Sequence, residues 1–192
     1  MARRACCKAL LVLVLAFAPA VLAAEQEDAL AALREGQAVL VVRHALAPGT
    51  GDPPGFELDD CSTQRNLDAR GRRQARAWGA FLREHGIGEA RILSSLWCRS
   101  LETAEAMDLG EVTPFPPLNS FFGGRGDRER QTQETIERVN AMPEGEPLVL
   151  VSHQVNIRAL TGLSVSSNGG VVMRRPLERG EGVVGRLKPA GR

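Results

Sequence analysis

Val39-Leu40-Val41-Val42-Arg43-His44 is the segment that decides the fold. Its four apolar residues, mostly β-branched, predict a buried strand that carries a guanidinium and an imidazole group at its end. Prolines and glycines crowd residues 48–55, so the chain is expected to leave the sheet at once. In an open α/β sheet, reactive side chains gather just beyond the carboxyl ends of the strands. By itself, however, such a pair is as often structural as functional.

The rest of the chain alternates between strand and helix patterns. Further strands are predicted over residues 91–94, 112–115, 148–151, 171–174 and 183–187. Helices are predicted over residues 25–34, from Asp68 as N-cap to His85, around Arg99, over residues 131–142 and after residue 156. With no internal repeat and no linker, this order predicts one α/β domain.

The first 23 residues have the pattern of a secretory signal peptide. Arg3, Arg4 and Lys8 precede an apolar run over residues 9–18, and cleavage after Ala23 suits the small side chains there. The run is shorter than the roughly 20 residues that a membrane span needs. We expect residues 24–192 to form the exported domain, in the periplasm if the host has two membranes. An uncleaved anchor is the alternative.

The charge balance argues against nucleic acid as a partner. Three of the 24 Lys and Arg residues, but none of the 23 Asp and Glu residues, lie in the predicted leader. The remaining domain is therefore weakly acidic and has no basic block. The composition gives no indication of the oligomeric state.

Two cysteines, Cys61 and Cys98, remain after the predicted cleavage. An even number of cysteines in an exported chain favours a disulfide, and two free buried thiols are the alternative. A zinc site is not expected, because no histidines cluster with this pair.

Two strong strands each end in a histidine. Arg43 and His44 follow the first, His153 follows the strand over residues 148–151, and a third strand leads into Arg99. If these strands are parallel, the four side chains converge at one edge of the sheet. Such a cluster is costly to assemble without an anion. Phosphate fits it, because arginine binds phosphate oxygens in a bidentate fork and a neutral histidine can attack phosphorus.

Four motifs together resemble the histidine phosphatase superfamily, which has the phosphoglycerate-mutase-like fold. They are V-V-R-H-A at 41–45, N-L-D-A-R-G-R-R-Q-A at 66–75, I-L-S-S-L-W-C-R-S-L-E-T-A at 92–104 and L-V-L-V-S-H at 148–153. They occur in the family's order and cover most of residues 37–163. The resemblance implies a three-layer α/β domain, with a mostly parallel central sheet flanked by helices.

The resemblance also implies roles for individual residues. His44 occupies the position of the nucleophile that becomes a phosphohistidine, and Arg43 and Arg99 occupy those of the arginines that hold the phosphoryl group. His153 matches the histidine that stabilises the transition-state charge. The resemblance implies no metal and no cofactor, because the arginines supply the positive charge that magnesium supplies in other phosphoryl-transfer sites.

The sequence departs from the family at the proton donor. Relatives commonly carry a carboxylate after the third strand or directly after the second histidine, but residues 117–122 have none and Gln154 follows His153. Ala45 also replaces a frequent glycine. The donor is therefore expected from the loop over residues 45–63, where Asp52, Asp59 and Asp60 are the candidates, unless the leaving group needs no proton or the domain only binds its ligand. A Cys61–Cys98 disulfide would hold this loop against Arg99.

The predicted function is that of an exported, metal-independent phosphatase. Its partner is expected to be a small phosphorylated substrate or a phosphorylated component of the cell envelope. The alternative is a non-catalytic binding or sensor domain that uses the same pocket.

Overall fold

The structure is a computed structural model that describes residues 23–189. Apart from Ala23, the predicted signal peptide lies outside the described residues. Within residues 23–189, no helix is long and apolar enough to cross a membrane.

Helices and strands alternate along most of the described chain. Five helices are present in this range: α1 over residues 23–34, α2 (Ala69–Glu84), α3 (Cys98–Met107), α4 (Arg128–Asn140) and α5 (Gln154–Thr161). The strands are β1 (Ala38–Arg43), β2 (Arg91–Ser94), β3 (Val112–Pro114), β4 (Leu148–Ser152), β5 (Gly170–Arg174) and β6 (Val183–Leu187).

Helix α4 begins three residues before the predicted start at residue 131. The Asp127 carboxylate accepts a hydrogen bond from the backbone N–H of Arg130 and so caps the helix. The charged first turn has no apolar periodicity, and the sequence pattern therefore missed it. The Asp68 cap of α2 is as predicted, with its side chain bonded to the N–H of Gly71.

The six strands form one sheet in the order β3-β2-β4-β1-β5-β6. Strands β1, β2, β3 and β4 are mutually parallel where they pair, whereas β5 runs antiparallel to β1 and β6 antiparallel to β5. The mostly parallel sheet that the resemblance implied is therefore confirmed.

Two apolar cores cover the two faces of the sheet and make the three-layer architecture. Leu40 and Val42 of β1 join a core with Leu30, Trp78 and Met107, from α1, α2 and α3. The alternate side chains of β1 point to the other core, which contains Ile157 and Leu160 of α5. Successive strand residues face opposite sides, so a continuous apolar run suits a strand that is covered on both faces.

The strand register brings three polar strand ends to one edge of the sheet. Arg43 lies opposite Ser152, and Val151 lies opposite Ser94. Because these strands are parallel, the residues that follow β1, β4 and β2 emerge side by side. His44 and His153 therefore leave the sheet at the same edge.

Candidate active site

His44 is a buried side chain whose two ring nitrogens have different partners. The side chain is 3% exposed. Its Nδ1 lies 2.8 Å from the carbonyl oxygen of Ala45, which accepts only, so Nδ1 carries the hydrogen. Nε2 is then left with its lone pair and accepts a hydrogen bond from Nε of Arg99 at 3.3 Å. This is the tautomer that a nitrogen nucleophile at Nε2 requires.

Helices α2 and α3 hold the backbone that follows His44. The N–H of Ala45 donates to Oγ1 of Thr103, and the N–H of Leu46 donates to Oε1 of Gln74, both at 3.0 Å. A side chain at Gly71 would overlap the carbonyl oxygen of Leu46. The motifs around residues 71–74 and 99–104 therefore hold the backbone on both sides of Ala45. The carbonyl group of Ala45 in turn orients the His44 ring.

His153 lies beside His44, and their ring centroids are 5.3 Å apart in an edge-on arrangement. It is 3% exposed. Its Nε2 is 2.8 Å from Oγ of Ser95 and 3.4 Å from Oγ of Ser100. The ring of Trp97 packs edge-on against the His153 ring. The second histidine is thus held between polar contacts and an aromatic wall.

Both imidazoles are neutral at pH 7. Burial, followed by the positive charge of Arg99, lowers the pKa of His44 to about 3. Burial, followed by the proximity of His44, lowers the pKa of His153 well below its usual value. A neutral His44 has at Nε2 the unprotonated lone pair that nucleophilic attack needs.

Arg99 and Asp52 form a salt bridge at the floor of the site. Nη1 of Arg99 is 2.6 Å from Oδ1 of Asp52, and Nη2 is 3.2 Å from Oδ2. The indole N–H of Trp97 also donates to Oδ2 of Asp52, at 3.0 Å. Burial alone would raise the pKa of Asp52, but the hydrogen bonds and charge of Arg99 outweigh it, so this pKa is lowered.

Arg43 and Arg65 add two more guanidinium groups. Nη1 of Arg43 donates to the carbonyl oxygen of Val165 at 3.1 Å, while its buried Nε has no hydrogen-bond partner within residues 23–189. Arg65 donates from Nε to the carbonyl oxygen of Gly51 at 2.7 Å and from Nη1 to that of Ala47. An unpartnered buried donor at Arg43 fits a site that takes an anion.

These side chains line an open cleft of about 180 Å³. The four residues predicted to act on phosphate, Arg43, His44, Arg99 and His153, all face it. The structure therefore brings the predicted constellation together at the carboxyl edge of the sheet.

The three candidate proton donors have different positions. Asp52 lines the cleft. Asp59 and Asp60 lie on the exposed surface of the same loop, and Asp60 caps a short 3₁₀ turn by accepting from the N–H of Ser62 at 2.9 Å. The structure thus brings one of the three candidates to the two histidines and leaves two in solvent.

The predicted disulfide between Cys61 and Cys98 is present, with Cα atoms 5.7 Å apart. It joins the loop that carries Asp52 and Arg65 to the first turn of α3, directly before Arg99. The side chain of Gln64 strengthens this connection, because its Oε1 accepts from the N–H of Cys98 at 3.0 Å.

Sequence reasoning missed several residues of the cleft. Arg65 stands directly before the N-L-D motif, where its charge could have drawn notice, whereas Arg125 and Phe122 lie in a glycine-rich loop without a pattern. Trp97 belongs to the third motif, but the motif did not indicate its contacts with Asp52 and His153. Within residues 23–189, no group of three or more His, Cys, Asp or Glu side chains could hold a metal ion.

Comparisons with known proteins agree on the fold. No protein-family model and no curated protein matches the sequence. Among solved structures, SixA from Agrobacterium tumefaciens is 18% identical over 81% of this chain and 99% of its own, with a TM-score of 0.56. A protein histidine phosphatase SixA complexed with tungstate is 20% identical over 79% of this chain and 97% of its own, with a TM-score of 0.56.

A third match has a different named substrate. The mycobacterial glucosyl-3-phosphoglycerate phosphatase Rv2419c, in complex with inorganic phosphate, is 16% identical over 81% of this chain and 98% of its own, with a TM-score of 0.55. These similarities confirm that the chain has the predicted phosphoglycerate-mutase-like fold, the fold of the histidine phosphatase superfamily. At this level of identity they establish the fold alone.

Proposed function

We propose that the protein is an exported, metal-independent histidine phosphatase that works through a phosphohistidine at His44. The observation that carries this proposal is the neutral His44 ring, whose Nε2 lone pair faces the cleft beside Arg99 while Nδ1 is bonded to the carbonyl oxygen of Ala45. Binding of an anion alone would need arginines but no oriented, uncharged nucleophile.

In the first step, Nε2 of His44 attacks phosphorus, and the bond between phosphorus and the leaving group breaks. Arg43, Arg99 and His153 line the volume in which negative charge grows on the equatorial oxygens. The hydrogen bond from Nδ1 to Ala45 stabilises the positive charge that the ring acquires. This bond also keeps the ring oriented throughout the step.

In the second step, a water molecule attacks the phosphohistidine and breaks the P–N bond. Phosphate leaves, and Nε2 regains its lone pair. The same arginines serve both steps, because the phosphoryl group stays in place and only its axial partners change.

The structural neighbours support a phosphatase rather than another use of this fold. One is described as a protein histidine phosphatase in complex with tungstate, and another as a glucosyl-3-phosphoglycerate phosphatase in complex with inorganic phosphate. The two differ in substrate, so they favour phosphate-ester or phosphoramidate hydrolysis without selecting a substrate for this chain.

Export is part of the proposal. It is supported by the leader pattern of residues 1–23 and by the Cys61–Cys98 disulfide, a bond that persists in oxidising compartments. Mass spectrometry of the protein expressed from the full sequence should give a chain that starts at Ala24 in the periplasmic or secreted fraction. A cell-associated chain of 192 residues would contradict export by a cleaved leader.

A binding or sensor domain is the second candidate. The observation in its favour is that Asp52, the carboxylate that lines the cleft, has both oxygens engaged by Arg99. A carboxylate in that state is a poor proton donor.

An activated aryl phosphate separates the two candidates, because its leaving group needs little protonation. We expect turnover by the mature protein and its loss in His44→Ala, whereas His85→Ala, at the end of α2, is the matched control and keeps it. Rapid quenching should trap acid-labile phosphate on the protein. Tight vanadate or phosphate binding without any turnover would support the sensor domain and contradict the proposed phosphatase activity.

A further inference from the structure

We propose that the substrate is a terminal phosphoanhydride, a molecule whose leaving group is itself a phosphate. This inference rests on the proposed phosphatase function and narrows its substrate class. Two independent features of the cleft carry it, namely the lack of an available proton donor and a positive charge larger than one phosphoryl group requires.

The carboxylate of Asp52 is not available to protonate a leaving group. Both of its oxygens accept hydrogen bonds from Arg99, and one also accepts from the Trp97 indole. Protonation of Asp52 would leave the guanidinium of Arg99 buried beside a neutral partner, at a large cost in free energy.

Neither His44 nor Gln154 can replace it. The one ring hydrogen of neutral His44 is bonded to Ala45 and points away from Nε2. Gln154, which stands where relatives carry an acid, is an amide, and its Oε1 accepts from the N–H of Val165 at 3.3 Å. An alkoxide would therefore leave without a proton, which forfeits the roughly 10²- to 10⁴-fold that a general acid contributes.

The charge of the cleft exceeds the demand of one phosphate. Four guanidinium groups line it, those of Arg43, Arg65, Arg99 and Arg125, against the single carboxylate of Asp52. A phosphate monoester brings a charge of only about −1.5 to −2 at pH 7. A second phosphate next to the first supplies the missing negative charge, and it is also a leaving group that departs as an anion.

Arg125 is placed to meet that second phosphate. Its guanidinium lies 4.7 Å from the centre of the Phe56 ring. Arg125, in the loop after β3, therefore contacts the loop after β1, which carries Phe56. It forms no salt bridge with any carboxylate within residues 23–189. A cation–π contact with an aromatic face holds the guanidinium in place and does not use its N–H donors, which can still bind oxygen.

The reaction balances without a donated proton. Nε2 of His44 forms a bond to the terminal phosphorus, the bond from that phosphorus to the bridging oxygen breaks, and the electron pair leaves on the oxygen of the departing phosphate monoester. Water then attacks the phosphohistidine, and its displaced proton goes to solvent. A diphosphate trianion and water thus give a phosphate monoester dianion, hydrogen phosphate and one proton.

The test compares methyl diphosphate with methyl phosphate, with the activated aryl phosphate and phosphoimidazole as substrates that need no acid. We expect kcat/KM for the diphosphate to exceed that for methyl phosphate at least 100-fold. Arg125→Gln should lower kcat/KM for the diphosphate at least tenfold more than for phosphoimidazole, which lacks the second anion. Arg128→Gln, an exposed arginine outside the cleft, is the control for loss of one positive charge.

The outcomes separate this inference from the function on which it rests. If the aryl phosphate is hydrolysed in a His44-dependent manner but the diphosphate ratio is below 100, the phosphoanhydride assignment is overturned and the phosphatase stands. Equal loss on both substrates in Arg125→Gln also overturns it. If none of the four compounds is hydrolysed, the phosphatase itself is rejected, and the substrate class with it.

Discussion

Arg99 and Asp52 bind each other through two parallel contacts in the interior of the cleft, with their side chains 4% and 3% exposed. The pair joins α3 to the loop after β1 across 47 positions of sequence. It leaves Nε of Arg99 directed at His44. The carboxylate that the sequence suggested as an acid therefore holds an arginine that contacts His44, the proposed nucleophile.

Removal of the Asp52 carboxylate should destabilise the fold strongly. Asp52→Ala leaves a buried guanidinium without its partner, and we expect the free energy of unfolding to fall by about 3–5 kcal/mol. Chemical denaturation measures this change. The control is Glu102→Ala, which removes the exposed Arg72–Glu102 pair and should cost about 1 kcal/mol or less. Equal losses in the two variants would contradict a buried, structural role for Asp52.

Stability should fall as the pH drops below 6.5. The pKa of His44 is about 3 in the folded protein and about 6.5 in the unfolded chain, so the unfolded chain takes up the proton first. The stabilisation is complete above pH 6.5 and is lost between pH 6.5 and about 3, by up to about 1.4 kcal/mol for each pH unit. Denaturation at pH 7, 6 and 5 measures the slope.

The matched variants for this pH dependence are His44→Gln and His85→Gln. The first should reduce the slope between pH 7 and 5 without abolishing it, because one titrating group is gone while His153, whose pKa is also lowered, remains. The second should retain the slope of the native protein. An unchanged slope in His44→Gln means that this histidine does not stay neutral on folding.

Reduction of the disulfide should weaken both stability and activity. Cys61 and Cys98 close a loop of 37 residues, and removal of that constraint is expected to cost about 4 kcal/mol in the chain-entropy model. The loop that carries Asp52 and Arg65 then loses its tie to α3. Thermal melts and aryl phosphate turnover with and without reductant measure both effects. The double variant Cys61→Ser, Cys98→Ser should be insensitive to reductant. Equal activity in all samples would contradict the idea that the disulfide positions this loop for activity.

Gly71 should not tolerate a side chain. An alanine Cβ there would overlap the carbonyl oxygen of Leu46, so α2 would have to move away from the backbone after His44. We expect Gly71→Ala to lower the free energy of unfolding by about 1–3 kcal/mol. Gly88→Ala is the control, because a Cβ there meets no atom within 4 Å, and its effect should stay within about 0.5 kcal/mol.

Thr103 should affect catalysis through the backbone. Thr103→Val removes the acceptor of the Ala45 N–H and frees the peptide between His44 and Ala45, directly after the His44 side chain, so kcat should fall together with a loss of about 1–3 kcal/mol in stability. Thr132→Val is the comparison, since that hydroxyl bonds only the Arg128 carbonyl of its own helix. A drop in stability without a drop in kcat would mean that Thr103 has a purely structural role.

Much of the fold follows from local patterns. The apolar runs of β1 and β4, the Asp68 cap and the glycines that end helices act over a few residues, so the sequence shows them directly. The meeting of Arg43, His44, Arg99 and His153 in one cleft was also predicted, because each follows a predicted strand or lies in the helix after one. Helix α4 was misplaced by three residues, since its first turn is held by a cap rather than by apolar spacing.

Where distant partners determine what a side chain does, the local sequence did not predict its role. Nothing near Asp52 in sequence shows that Arg99 and Trp97 occupy both of its oxygens, and nothing near Arg125 shows that it stacks on Phe56 at the mouth of the cleft. The sequence does not distinguish Asp52, Asp59 and Asp60, which are three aspartates of one loop. Folding separates them, because it places one beside a buried guanidinium and two in water.

The sequence by itself therefore determined the α/β fold and the set of side chains that could meet an anion, because periodicity, caps and motif order are properties of neighbouring residues. Only the tertiary structure decided which nitrogen of His44 is left unprotonated and which charges in the cleft remain uncompensated. Those properties depend on burial and on contacts between distant segments, such as that of Arg43 with Val165, 122 positions away, which no local pattern contains.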